Sequence, residues 1–142
     1  MPTMTVHGMV LNYRDQGEPD QPVLLFIHGL GCSLRYWTCV FDAQELSPYR
    51  ILALDLPGFG MSQKPEHYDY QLSSQADIVL AFLQVLEVQN VVLVGHSMGG
   101  AIAILMALKD AQRVRHLLVI EPNLKASDAL LSRKIVQDVE SG

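Results

Sequence analysis

Ser97 lies within Gly95-His96-Ser97-Met98-Gly99, between the apolar run Val91-Val92-Leu93-Val94 and an apolar stretch that begins at Ala101. A serine hydroxyl is a poor nucleophile unless it is held clear of the chain and a base can take its proton. Glycines two before and two after the serine suit a very tight strand-to-helix turn, where side chains at those positions would collide. Such a turn lifts the Ser97 hydroxyl above the carboxyl edge of a sheet. The next helix then aims its first N–H groups at the same spot, where negative charge developing on a substrate would be stabilised. Acyl transfer is the chemistry this arrangement serves. A plainer reading of the same residues is a serine capping a buried helix, and the surrounding elements must decide between the two.

Those elements alternate. Thr5 to Asp15, with Gly8 as a turn, reads as an antiparallel hairpin at a sheet edge. Val23-Leu24-Leu25-Phe26-Ile27 is a continuous apolar run, as expected of a strand covered on both faces, and it ends in His28-Gly29-Leu30-Gly31. Leu34 to Leu46 reads as a helix stopped by Ser47-Pro48. Ile51 to Leu54 is the next strand, followed by a Pro- and Gly-rich loop to about Tyr70. Leu72, Ala76, Val79, Leu80, Leu83 and Leu86 recur at helical spacing. The stretch from Ala101 through Leu108 is apolar nearly all round and predicts a buried helix. Leu117 to Ile120 is a last strand, ending at Glu121-Pro122-Asn123. Alternation of this kind predicts an α/β fold, a doubly wound and mostly parallel sheet with helices on both faces. Ligands of such sheets bind beyond the carboxyl ends of the strands. His28, Asp55, Ser97 and Glu121 all fall at such ends.

The 142 residues suit one domain, with 49% hydrophobic and 18% charged residues pointing to a packed globule. A net charge of −5 and the absence of a basic cluster argue against a nucleic-acid partner. No apolar stretch reaches the length of a membrane span, and the start Met1-Pro2-Thr3-Met4-Thr5 has no signal-peptide pattern, so a cytoplasmic location is expected. Cys32 and Cys39, the only cysteines, do not make a disulfide framework.

His28-Gly29-Leu30-Gly31, Asp55-Leu56-Pro57-Gly58-Phe59-Gly60-Met61-Ser62 and Gly95-His96-Ser97-Met98-Gly99-Gly100 stand in that order. Together they resemble the amino-terminal half of the α/β-hydrolase family, over roughly residues 5–125. The resemblance implies that Ser97 is the nucleophile and that the backbone N–H groups of Leu30 and Met98 form the oxyanion hole. His28 and Gly29 would then shape one supporting turn, and Gly95 and Gly99 the other. It implies a small-molecule acyl substrate and neither metal nor organic cofactor.

The resemblance also exposes a gap. The family's histidine base follows the serine in chain order, and after Ser97 the only histidine is His116. That residue precedes its strand, so it should lie at the opposite sheet edge, about 15–20 Å away at ordinary strand rise. Glu121 ends the strand next in sequence after the nucleophile strand and is the candidate acid. Residues 126–142 read as the start of a lid or a truncated tail, with Leu131, Ile135 and Val139 at helical spacing, while residues 1–125 form the amino-terminal portion of the core. The family's later strands are then missing, leaving Leu117–Ile120 as an apolar edge open to self-association. Two functions follow: a serine hydrolase of ester, thioester or related acyl bonds that lacks its histidine, or a non-catalytic ligand-binding or scaffold protein.

Overall fold

A computed structural model describes residues 1–124. The lid reading of residues 126–142 lies outside them. Six strands form one sheet: β1 (Thr3–Val6), β2 (Met9–Gln16), β3 (Val23–Ile27), β4 (Arg50–Leu54), β5 (Val91–His96) and β6 (Val114–Ile120), in spatial order β1-β2-β4-β3-β5-β6. The first two strands are antiparallel, joined through His7 and Gly8, which both have positive φ as a tight two-residue hairpin turn requires. β2 also runs antiparallel to β4, whereas β3, β4, β5 and β6 are mutually parallel. The chain passes from β3 outward to β4, then crosses to the other side of β3 to make β5. The crevice where the winding reverses therefore opens at the carboxyl ends of β3 and β5, the ends that carry His28 and Ser97.

Helices cover both faces. On one, α2 (Leu72–Val85) and α3 (Met98–Lys109) bury a core that includes Leu25, Ile27, Leu52, Leu54, Phe82 and Ile102. The other face carries Leu24, Phe26, Ile51, Ala53 and Val94 against Leu34, Trp37 and Phe41. Residues of β3 thus alternate between two dry interiors, which is why that strand reads as an unbroken apolar run.

Two expectations are corrected. The segment 34–46 is not one helix. A 3₁₀ turn at Leu34–Trp37 runs into α1 (Thr38–Asp42), Ala43 is extended, and a second 3₁₀ turn covers Gln44–Leu46. Residues three apart nearly eclipse in a 3₁₀ turn, so Leu34 and Trp37 point together at the sheet, with the Trp37 ring 5.1 Å from Phe26. Packing has overridden helical spacing. Nor is α3 buried throughout, for Leu108 is solvent-exposed, although α3 packs on α2, β3, β5 and β6.

The final strand begins earlier than expected, at Val114, so His116 lies within it, paired with Val92 near the amino end of β5. It remains remote from Ser97. Among the described residues β6 is an edge strand, and Leu117, Leu118, Val119 and Ile120 are all exposed. No helix among them is long and apolar enough to cross a membrane.

Candidate active site

Ser97 joins β5 to α3 with φ 53° and ψ −120°, a backbone conformation that L-residues adopt only under strain. Its N–H donates to Ile120 O at 2.9 Å, and its carbonyl accepts from Gly100 and Ala101. The glycines around it are sterically required. A Cβ on Gly95 would land on the Gly99 carbonyl and 2.7 Å from Gly100 Cα, and one on Gly99 would strike the carbonyls of Ile27 and His28. Gly29 lies as close from the other side, where a Cβ would be 3.2 Å from both Ser97 Cβ and His96 Nδ1. The two glycine turns therefore touch each other, one at the end of β3 and the other at the end of β5.

That contact brings the Leu30 and Met98 backbones to the same edge of the sheet. Met98 is the first residue of α3, so its N–H has no intrahelical acceptor. The Leu30 N–H donates to no acceptor among the described residues. The loop holding Leu30 is braced by Cys32 N–H donating to Gly29 O at 3.2 Å and by the positive φ of Gly31.

Behind this loop sits His28, fully buried. Leu56 N–H donates to its Nε2 at 3.1 Å, which assigns the ring proton to Nδ1. Nδ1–H then donates to Gly29 O at 2.8 Å. Burial lowers the His28 pKa, against smaller raising effects from the Gly29 hydrogen bond and from Asp55. The neutral ring thus links the end of β3 to the loop after β4.

Asp55, which the sequence places at a strand end with no evident role, is a hub in the structure. Its carboxylate accepts from Leu34 N–H at 2.7 Å, Asn12 Nδ2 at 2.8 Å and Met61 N–H at 2.8 Å. Its carbonyl accepts from Ser62 Oγ at 2.6 Å, and that Oγ accepts from Asn12 N–H. Gly60 must be glycine here, because its φ is positive and a Cβ would overlap the Asp55 carboxylate. The invitation to find this hub was the pattern Asp55…Gly60-Met61-Ser62, but its partners Asn12 and Leu34 are distant in sequence.

Glu121 lies at the end of β6 with φ 48°, and its side chain is 87% exposed. Its Oε2 is 4.0 Å from His96 Nε2, and the His96 ring stacks on Tyr36 with centroids 4.8 Å apart and planes 16° apart. Asn123, which no motif in the sequence marks, donates from Nδ2 to Ser97 Oγ at 3.3 Å. No histidine nitrogen is hydrogen-bonded to Ser97 Oγ among the described residues: His7 is in the hairpin turn, His28 is bonded to Gly29 and Leu56, His67 is exposed in a loop, His96 is stacked, and His116 is in β6. A recess of about 480 Å³ lies at the opposite edge of the sheet, between residues 19–23 and 86–90 with Arg50 and Arg115, and Ser97 does not line it.

A strained serine between an interior parallel strand and a helix, faced by a second glycine turn at the switch point, defines the class of fold. Residues 22–138 match the model of the alpha/beta hydrolase fold family. The chain belongs to the α/β-hydrolase family. It is 36% identical over 113 residues to the uncharacterized hydrolase YugF of Bacillus subtilis, covering 76% of this chain and 39% of YugF. A crystal structure of a membrane phospholipase A superposes with a TM-score of 0.81 at 36% identity, covering 86% of this chain and 39% of that one. The meta-cleavage product hydrolase from Pseudomonas fluorescens gives 0.77 at 32% identity, with 86% and 45% covered. The chain spans about two fifths of the length of YugF.

Proposed function

We propose that the chain carries the nucleophile side of a serine hydrolase active site, acting on an ester, thioester or related acyl bond. Ser97 Oγ attacks the acyl carbon, and the N–H groups of Leu30 and Met98 hold the oxyanion. Glu121 is the acid of this reading. The observation that carries it is the strained φ of Ser97, kept by glycines whose replacement would strike backbone; a mere helix cap needs neither. Backbone donors explain why an apolar Leu30 and Met98 serve, since losing one such donor typically removes about 3 kcal/mol of transition-state stabilisation. The base must come from a group that residues 1–124 do not hold against Ser97.

The lack of a bonded histidine supports a second reading, a non-catalytic protein that binds an acyl ligand. Hydrolysis of a short p-nitrophenyl ester by the chain and by Ser97→Ala separates them. The first reading expects turnover that disappears in Ser97→Ala while the variant stays folded. Even without a full triad, binding and an oxyanion hole can leave roughly 10³-fold over water. Equal background rates in both proteins mean that the chain holds half an active site if a fluorophosphonate still labels Ser97, and support the second reading if it does not.

The same proposal includes self-association of two copies through β6. That strand has an unpaired outer edge among the described residues, and Leu118 and Ile120 are exposed beside it. Unprotected edges of this kind template pairing with an identical edge. Light scattering should show mass rising with concentration, and Leu118→Lys should return the monomer; a constant monomer mass for the unaltered chain removes this element.

A further inference from the structure

Residues Ile120 to Asn123 cross over the Ser97 turn and grip it in succession. Ile120 O accepts from Ser97 N–H at 2.9 Å. Glu121, at φ 48°, turns the chain back over the helix start, with its carboxylate 4.0 Å from His96 Nε2. Pro122 lies against Gly100, where an added Cβ would be 3.1 Å from Pro122 Cβ. Asn123 is thereby delivered to the hydroxyl itself, with Nδ2 3.3 Å from Oγ.

We propose that Asn123 is a catalytic residue of this site, a donor to Ser97 Oγ that orients the hydroxyl and stabilises negative charge on it. This rests on the reading of Ser97 as the nucleophile. A serine hydroxyl has one proton to give and two lone pairs. With the Asn123 N–H in one lone pair, the proton points away from Asn123 toward an incoming base and the other lone pair faces the acyl carbon. In acylation the hydroxyl proton passes to a carboxylate or imidazole base as the Oγ–C bond forms, and the tetrahedral intermediate then expels the leaving group, which takes that proton. In deacylation water adds and gives a proton to the same base, the C–Oγ bond breaks, and Oγ takes that proton back. An N–H donor favours the charged form of its acceptor, so Asn123 helps most when Oγ is alkoxide-like, at the start of the first step and the end of the second.

A fluorophosphonate probe tests this on the full chain, because labelling forms Oγ–P, breaks P–F and releases fluoride and the hydroxyl proton. Asn123→Ala should slow labelling about 3- to 10-fold, the worth of one neutral hydrogen bond, with thermal unfolding unchanged. Asn123→Asp is isosteric and reverses the polarity, since its carboxylate accepts the hydroxyl proton. Its labelling rate should rise with pH across roughly 3–5, the ordinary aspartate range, a step that a structural role for Asn123 would not create. Independently of the probe, the Asn123 side-chain amide resonance should move in Ser97→Ala. Labelling of the unaltered chain with both Asn123 variants matching it in rate and pH profile overturns this proposal alone. No labelling of the unaltered chain overturns the nucleophile reading and this proposal with it.

Discussion

Gly99→Ala is expected to destabilise the fold by about 3 kcal/mol or more, a large share of the roughly 5–15 kcal/mol that holds a domain folded. The added Cβ would strike Ile27 O, lie 2.5 Å from His28 O and 2.7 Å from Ile27 C. All three are backbone atoms at the end of β3, a strand hydrogen-bonded on both sides, so none can swing aside as a side chain would. Relief requires α3 to back away from the sheet, which opens the buried contacts of Ile102, Ala103 and Met106. The same movement would separate Met98 from the loop holding Leu30. Gly100→Ala is the internal comparison: its Cβ would meet mainly Pro122 Cβ at 3.1 Å and Gly95 O at 3.2 Å, contacts that yield with a few tenths of an ångström, so its effect should be nearer 1 kcal/mol. Urea unfolding of the three proteins checks the ranking. A Gly99→Ala midpoint equal to that of the unaltered chain would show that α3 is free to shift, contrary to the packing.

Asp55→Ala should be comparably damaging, at about 3 kcal/mol or more, since it strands three buried donors at roughly 1 kcal/mol or more each. The carboxylate is 1% exposed and accepts three hydrogen bonds from three segments: Asn12 of β2, Leu34 at the start of the 3₁₀ turn and Met61 of the loop after β4. Removing it leaves those donors without their acceptor, and a buried unsatisfied donor is costly whatever replaces the volume. Asp55→Asn separates charge from shape. One amide oxygen can still accept from Leu34 N–H, but the amide NH₂ must then face the Met61 and Asn12 donors, so the loss should be smaller than for alanine and still exceed about 1 kcal/mol. Unfolding midpoints of the two variants give the comparison. Indistinguishable stabilities of Asp55→Asn and the unaltered chain would mean that the hub works by shape alone.

The parallel strands and the long helices were legible because burial on two faces demands unbroken apolar residues. Val23–Ile27 and Val91–Val94 can be little else, and the stripe from Leu72 to Leu86 gave α2 to within a residue of its observed end at Val85. The turn at Ser97 was legible for a steric reason, since the need for glycine at 95 and 99 is written in residue type. Segment 34–46 is not legible in the same way because a 3₁₀ turn and an α-helix share residue preferences; what distinguishes them is the line of Phe26 and its neighbours on which Leu34 and Trp37 must lie.

The amino-acid sequence by itself determined the α/β alternation, the carboxyl edge that carries the candidate site and the glycines that keep Ser97 accessible, because these depend on local sterics and on which residues avoid water. Tertiary structure alone decided which groups meet there. Asp55 gathers donors from Asn12 and Leu34, Glu121 lies by His96 rather than in a bonded triad, and Asn123 reaches Ser97 Oγ. Each partnership joins residues that are 21 to 43 positions apart or turns on a left-handed residue such as Glu121. Hydrogen bonds between distant segments have no period or composition to announce them; they follow only from how the strands are ordered and where the chain turns back.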